Sequence, residues 1–487
     1  MISVHRFCQG GMYFAVDGGS AAIHELDEIA YDVLGDVLEM TGSQIDGGEG
    51  EDSSQSAANI LRTWRDGVGD SSDGGQRVAY TRLFAKHGAK AVREAAGDLL
   101  DLMDIGLLFH DDAYVDELAD GLQHKVSLKA ICLNVSHDCN LRCRYCFAGT
   151  GNFGGERLNM PLDIAQQAID FLLANSSGKD RVEVDFFGGE PLLNLPVVKE
   201  TVAYGESRAD AMGKEIRFTL TTNGLLLDEE TARYLDETMF NLVLSLDGRQ
   251  SINDHVRVSA RGKGVYEVIV PRLKQMVELR EERQYYVRGT YTAYNKDFFA
   301  DVKHLVEIGF DRVSVEPVVA DPKEPYSLSI DDLPILFEQY DELAEYYCSM
   351  HDMGRGFEFY HFNLSLLEGQ CLAKRLTGCG AGTEYLAITP NGDIYPCHQF
   401  VGRHGYTMGN IQDPDLDASI QSLFQESNVL NKATCRGCWA RFFCSGGCHA
   451  NAVSVNGDIR EPDSLSCALL KKRLECSIYI QARLSSS

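Results

Sequence analysis

The sequence predicts an α/β protein built on a partial (β/α)6 barrel of the TIM type over residues 129–350, and three observations carry that prediction. Apolar runs of strand length recur at 130–136, 182–187, 215–221, 241–246, 284–292 and 312–317. Helical spacing fills the intervals: Ile164, Ala168, Phe171 and Leu172 share one face, and the same period covers 196–212, 227–237, 266–280, 297–308 and 332–350. The connections are short turns, and repeated βα units with short turns give a parallel sheet. In such barrels chemistry collects at the carboxyl ends of the strands. The short motifs of this chain fall there.

At 487 residues the chain exceeds one ordinary domain. Residues 1–110 open with two short apolar runs around Asp17-Gly18-Gly19, the pattern of a hairpin. Asp27 is a candidate N-cap for a helix to Met40, where Ile29, Val33, Leu34 and Val37 repeat at helical spacing, and Ala89 to Ile105 forms another helix. Between them, residues 41–76 are rich in Gly, Ser, Asp and Glu and read as an acidic flexible insertion with no packed core of its own. A hairpin with short helices resembles the winged-helix peptide-recognition element fused to many peptide-modifying enzymes; a small structural cap gives the same pattern. Residues 111–128 read as a linker, 351–370 as a bridging region, and 371–487 as a cysteine-rich C-terminal domain.

The first barrel strand runs into Cys139-Asn-Leu-Arg-Cys143-Arg-Tyr-Cys146, a C-x3-C-x2-C spacing. Three thiolates this close can hold three corners of a [4Fe–4S] cube and leave the fourth iron open to a small chelating ligand. The alternative is a zinc knuckle, although zinc prefers four protein ligands in paired C-x2-C units. The triplet resembles the signature of the radical S-adenosyl-L-methionine (SAM) enzymes, which implies that the open iron binds SAM and that Tyr145 sits beside the adenine. Phe187-Gly188-Gly189-Glu190-Pro191 matches the motif that meets the SAM amino group in that family, with Glu190 as the carboxylate. Thr221 to Gly224 ends the third strand and Ser245 to Gly248 the fourth; each alone is an ordinary turn, but together they follow the family order. Arg288 on the fifth strand is a candidate fork for the SAM carboxylate or, equally, an ion-pair partner. Asn223 and Ser245 are further candidate SAM contacts, and Glu316 on the sixth strand is a candidate for the same cavity.

A second cysteine field comprises Cys379, Cys397, Cys435, Cys438, Cys444, Cys448 and Cys467, with Gly392 ahead of Cys397. Zinc would use four of these and leave the rest unexplained. The spacing resembles the SPASM iron–sulfur domain with every cysteine position filled. By that resemblance, Cys379, Cys397 and Cys448 belong to auxiliary cluster I, and Cys435, Cys438, Cys444 and Cys467 to auxiliary cluster II. Cys371 is either an eighth ligand or a free thiol. Cys8, Cys132, Cys348 and Cys476 read as buried small hydrophobes. Anaerobic sulfatase-maturing relatives carry a catalytic Asp directly after the cysteine matching Cys397; here that residue is His398.

Asp138 through Gly155, Ser314-Val-Glu-Pro-Val-Val319, Gly378 through Ala387 and Pro396 through Phe400 resemble the thioether-forming maturases of SCIFF peptides. The resemblance implies three [4Fe–4S] clusters, SAM, catalytic roles for Cys139, Cys143, Cys146 and Cys397, a short cysteine-rich precursor peptide as substrate, and an external reductant such as flavodoxin or ferredoxin. Related SPASM outcomes are an α-carbon thioether, a carbon–carbon cross-link or epimerisation; a non-catalytic electron carrier or peptide-binding scaffold would not need the Gly-Gly-Glu-Pro and Arg288 set. Lys plus Arg at 45 against Asp plus Glu at 72 gives a net charge of −27, which opposes nucleic acid and anionic membranes. Fifteen cysteines without an apolar leader point to a reducing cytoplasm and to metal, not disulfides.

Overall fold

Strands β1 (Val4–Gln9), β2 (Met12–Asp17) and β3 (Ile23–Leu26) form a small antiparallel sheet in that order. They open a computed structural model that describes residues 3–42, 53–67, 74–110, 127–363, 372–413 and 415–485. The sheet divides two cores. Phe7, Phe14 and Val16 join the main core, whereas Val4 and Ala15 join a second one built with the helices Glu28–Thr41, Ser53–Asp66, Gly74–His87 and Ala89–Asp104. Asp27 caps the first of these by accepting from the Ala30 N–H at 2.7 Å.

The expectation of an unpacked insertion over 41–76 fails for its described part. Helix Ser53–Asp66 buries Ala57, Ile60, Leu61 and Trp64, the last only 1% exposed. Those positions follow helical spacing, and an apolar stripe can bury itself however acidic the flanks are. Residues 43–52 and 68–73 lie outside the described residues, as do Cys371 and most of the 111–128 linker.

The barrel wall is β4 (Ala130–Ser136), β5 (Arg181–Gly188), β6 (Glu215–Thr222), β7 (Asn241–Ser245), β8 (Gln284–Tyr291) and β9 (Arg312–Pro317), each parallel to the next. Alternation sorts the faces: in β5, Val182, Val184 and Phe186 are fully buried toward the helices, while Glu183, Asp185 and Phe187 form the lumen side. The wall does not end at six strands. β10 (Glu358–Phe359) adds beside β9, and at the other edge β11 (Tyr385–Ile388) pairs in parallel with β4, followed by antiparallel β12 (Asp393–Tyr395) and β13 (Gly409–Asn410). The cysteine-rich region thus continues the barrel's own sheet, and its last helix, Ser464–Ser485, packs on helix Leu333–Asp352. The N-terminal sheet leans on the same region, with His5 stacked on Trp439 at 4.3 Å. Among the described residues no helix is long and apolar enough to cross a membrane.

Candidate active site

After β4 the chain turns through Asp138 into the cysteine triplet, and the loop is held on several sides. Asp138 Oδ1 accepts the Cys139 N–H at 2.8 Å. The Arg142 and Arg144 amides donate to the carbonyls of Val258 (2.7 Å) and Val256 (2.9 Å), so the segment after helix Gln250–Val256 braces it. The end of β5 closes the inner side. Gly188 has φ +127°, and a Cβ there would lie 2.3 Å from the Ser136 carbonyl oxygen; at Gly189 it would lie 2.1 Å from that of Asp138. The close approach for which two glycines are needed is therefore made by the chain's own cysteine loop, and both glycines also line the cavity.

That cavity has a volume of about 140 Å³. Cys139, Cys143, Tyr145, Cys146, Gly188, Gly189, Glu190, Asn223, Ser245 and Arg288 all line it, although they come from four strand ends and one loop. Glu190 is 1% exposed and accepts from Thr222 Oγ1 (2.8 Å), the Asn223 N–H (2.9 Å) and the Leu192 N–H (3.1 Å). A carboxylate accepts at about four positions, so one remains for a ligand cation. Asn223 also turns its amide to Cys139 Sγ at 3.7 Å.

Sequence reading missed Arg257. It is 6% exposed, donates to the Tyr145 hydroxyl at 3.1 Å and lies 3.7 Å from Asp247, which accepts from the same hydroxyl at 2.7 Å. The Tyr145 ring is thereby fixed on the cavity wall. Burial pushes the Cys139 and Cys143 thiols up, to about 11 and about 12, and the Arg257 charge opposes it at all three cysteines of the triplet. Its partner Asp247, in Ser-Leu-Asp-Gly, is fully buried and calls for a cation, but that burial is visible only in the fold.

Arg288 makes the ion pair that was one of its two alternatives and keeps a place in the cavity wall. It donates to Glu316 at 2.8 Å and still lines the cavity, since one bond leaves most of its about five N–H donors unused. Burial would raise Glu316, but Arg288, His361 and Arg473 together hold it down at about 2. On the other side of the lumen, His398 lies 4.9 Å from the Phe187 ring and 5.7 Å from that of Phe147, and the Tyr385 hydroxyl meets its Nδ1 at 3.4 Å. Burial and then the Arg288 charge push His398 down to about 4. Tyr385 also hydrogen-bonds Asp185, whose carboxyl burial raises to about 7.

The C-terminal thiols gather in two groups by the fields they exert on one another. Cys379, Cys397 and Cys448 make one; Cys435, Cys438, Cys444 and Cys467 make the other. Of the isolated cysteines, Cys132, Cys348 and Cys476 are buried, but Cys8 is exposed, contrary to expectation, because it sits on the outward face of β1.

Residues 133–280 match the Radical SAM superfamily and residues 379–439 the SPASM iron-sulfur cluster-binding domain. The chain carries a radical SAM domain followed by a SPASM domain. A cysteine-type anaerobic sulfatase-maturating enzyme of Clostridium novyi (strain NT) is 24% identical over 379 residues, covering 72% of this chain and 96% of that protein. Among solved structures, native anSMEcpe with bound AdoMet aligns at a TM-score of 0.59 and 20% identity over 74% of this chain and 100% of its own. Streptococcus suis SuiB bound to precursor peptide SuiA aligns at 0.52 and 17% over 96% and 100%. The two domains imply iron–sulfur clusters and SAM, and the donors fit: sulfur-only groups suit iron–sulfur ligation, and a free acceptor position on Glu190 with unused Arg288 donors suits an amino acid's ammonium and carboxylate.

Proposed function

We propose that this radical SAM/SPASM protein installs thioether cross-links in a short, cysteine-rich, ribosomally made precursor peptide, joining a Cys sulfur to a carbon of an acceptor residue, Thr by resemblance. One observation carries the reading: side chains that flank two of the thiol sites pack against one another. Phe147, directly after Cys146, and Phe187, directly before Gly188, both contact His398, directly after Cys397. A peptide segment inserted there faces a hydrogen-abstracting site on one side and a sulfur-oxidising site on the other. That the related SuiB was solved with a precursor peptide, and that other relatives mature sulfatases, supports a peptide or protein substrate.

In this reading Cys139, Cys143 and Cys146 hold one [4Fe–4S] cluster; Glu190, Arg288, Asn223, Ser245 and the Gly188-Gly189 backbone hold SAM; and the two C-terminal thiol groups hold two further clusters. Bound there, a cluster reduced by a flavodoxin or ferredoxin would pass one electron to SAM and split it to methionine and a hydrogen-abstracting 5′-deoxyadenosyl radical. Forming one thioether removes two hydrogens, one as an atom from the acceptor carbon and one as a proton and an electron from the peptide thiol. The aromatic trio excludes water and holds the reacting atoms close. Asp185, on the lumen face below Phe187, is the group that takes the proton through Tyr385. The N-terminal sheet, with β3 as an edge strand, binds the leader by strand addition.

The test is anaerobic incubation of the reduced protein with SAM and a synthetic short cysteine-rich precursor peptide. Formation of 5′-deoxyadenosine with a peptide mass loss of two hydrogens per link, and fragmentation that maps sulfur to a side-chain carbon, is the expected result. An unchanged mass with inverted stereochemistry would replace cross-linking by epimerisation.

A further inference from the structure

Lys432 is 0% exposed and stands three residues before Cys435. Its ammonium donates to the Gly446 carbonyl at 2.8 Å, in the turn between Cys444 and Cys448. Among the described residues no carboxylate pairs with it. The ionisable groups whose fields reach it are the sulfurs of Cys435, Cys444 and Cys467, from one thiol group, and of Cys448, from the other. His449, directly after Cys448, also faces it. Lys471 is the other cation near Cys435 and Cys467; it is only half-buried, so solvent screens it.

A buried ammonium with one carbonyl partner is among the costliest groups a fold can hold, and it persists where a matching negative charge offsets it. Neutral thiols carry none. Thiolate-ligated iron–sulfur clusters do, and more so after reduction. We infer that Lys432 is a positioning residue, the fixed counter-cation shared by the two C-terminal cluster sites, which makes both easier to reduce and so better acceptors of the electron released in cross-linking. This rests on the reading that these cysteines hold clusters. Lys432 contacts no substrate; it acts through the charge it places between the two sulfur groups.

The experiment uses the full-length protein, reconstituted with iron and sulfide, with Cys139, Cys143 and Cys146 changed to Ala so that only the C-terminal sites give a signal. Iron content and EPR-monitored redox titrations are compared for Lys432 and for Lys432→Arg, Lys432→Gln and Lys432→Met. Arg should keep the parent midpoints, while Gln and Met shift both auxiliary midpoints to more negative values at unchanged iron. Loss of iron in Gln and Met but not in Arg supports the same inference, because charge is then what assembly requires. Full iron with parent midpoints in Gln overturns it, as does iron loss in all three variants, which would make shape and not charge the requirement. A Lys432 parent that binds no iron at all refutes the cluster reading itself.

Discussion

Asp185→Asn is the sharpest test of the lumen. Burial, with a smaller contribution from Glu183, raises the Asp185 carboxyl from 3.8 to about 7 in the folded protein, against the hydrogen bond from Tyr385 and the Lys129 charge. A folded-state value above the unfolded one means that the protonated carboxyl favours the fold fully below about pH 4, and that the advantage is lost as pH rises through about 7. Three units at 1.36 kcal/mol each amount to about 4 kcal/mol in all, of which roughly 3 kcal/mol disappears between about pH 5 and about pH 8. Asparagine keeps the shape and cannot ionise. The variant should therefore gain on the parent by that roughly 3 kcal/mol over the same interval, read as the pH dependence of anaerobic guanidinium midpoints. Cross-linking should fall while 5′-deoxyadenosine formation persists, since proton removal from the peptide thiol comes after hydrogen abstraction. A stability difference independent of pH would refute the buried titration, and undiminished cross-linking would refute the proton-accepting role.

Further outcomes follow from the other sites. Changing Cys139, Cys143 and Cys146 together to Ala should abolish 5′-deoxyadenosine formation yet leave the iron bound by the C-terminal cysteines, as metal analysis would record. The Asp17 N–H donates to the Ala22 carbonyl, so by antiparallel alternation the Glu25 N–H points away from β2 to the open edge of β3. Glu25→Pro should thus weaken leader binding up to about tenfold by calorimetry, the worth of one hydrogen bond, without opening the small sheet. Trp64→Ala should destabilise the N-terminal core by about 3–5 kcal/mol in denaturant titration; an effect near zero would restore the unpacked insertion.

The barrel was legible because its signals are local. A run such as Arg181–Gly188 announces a strand by its alternation, and the turn after it announces the site by its glycines. What escaped is written over long separations or averaged away. β11 is four residues long and pairs with β4 some 250 residues earlier, so no local pattern marks it as an extension of the barrel. The Ala57, Ile60, Leu61, Trp64 stripe is present in the sequence, but a composition count over 41–76 dilutes it with the surrounding Gly, Asp and Ser.

The two cations that face the sulfur groups, Arg257 and Lys432, escaped for a further reason. A buried charge is spelled like a surface one, and only its surroundings reveal the difference. Arg257 stands in a stretch with other basic residues, Arg261 and Lys263, and Lys432 precedes an Arg436 of ordinary exposed kind. Cysteines can be read from spacing because metal geometry fixes how far apart ligands fall along a loop. Counter-charges obey no such spacing, since they act through several ångströms of low-dielectric interior and can enter from any element that passes nearby. The chemistry of a sulfur site is therefore legible in its ligands before it is legible in the charges that set how readily those ligands ionise or their metal accepts an electron. Arg257 enters from the segment that braces the cysteine loop, and Lys432 from the residue that leads into a short helix. Each is held by backbone geometry that the ligand motif itself does not encode.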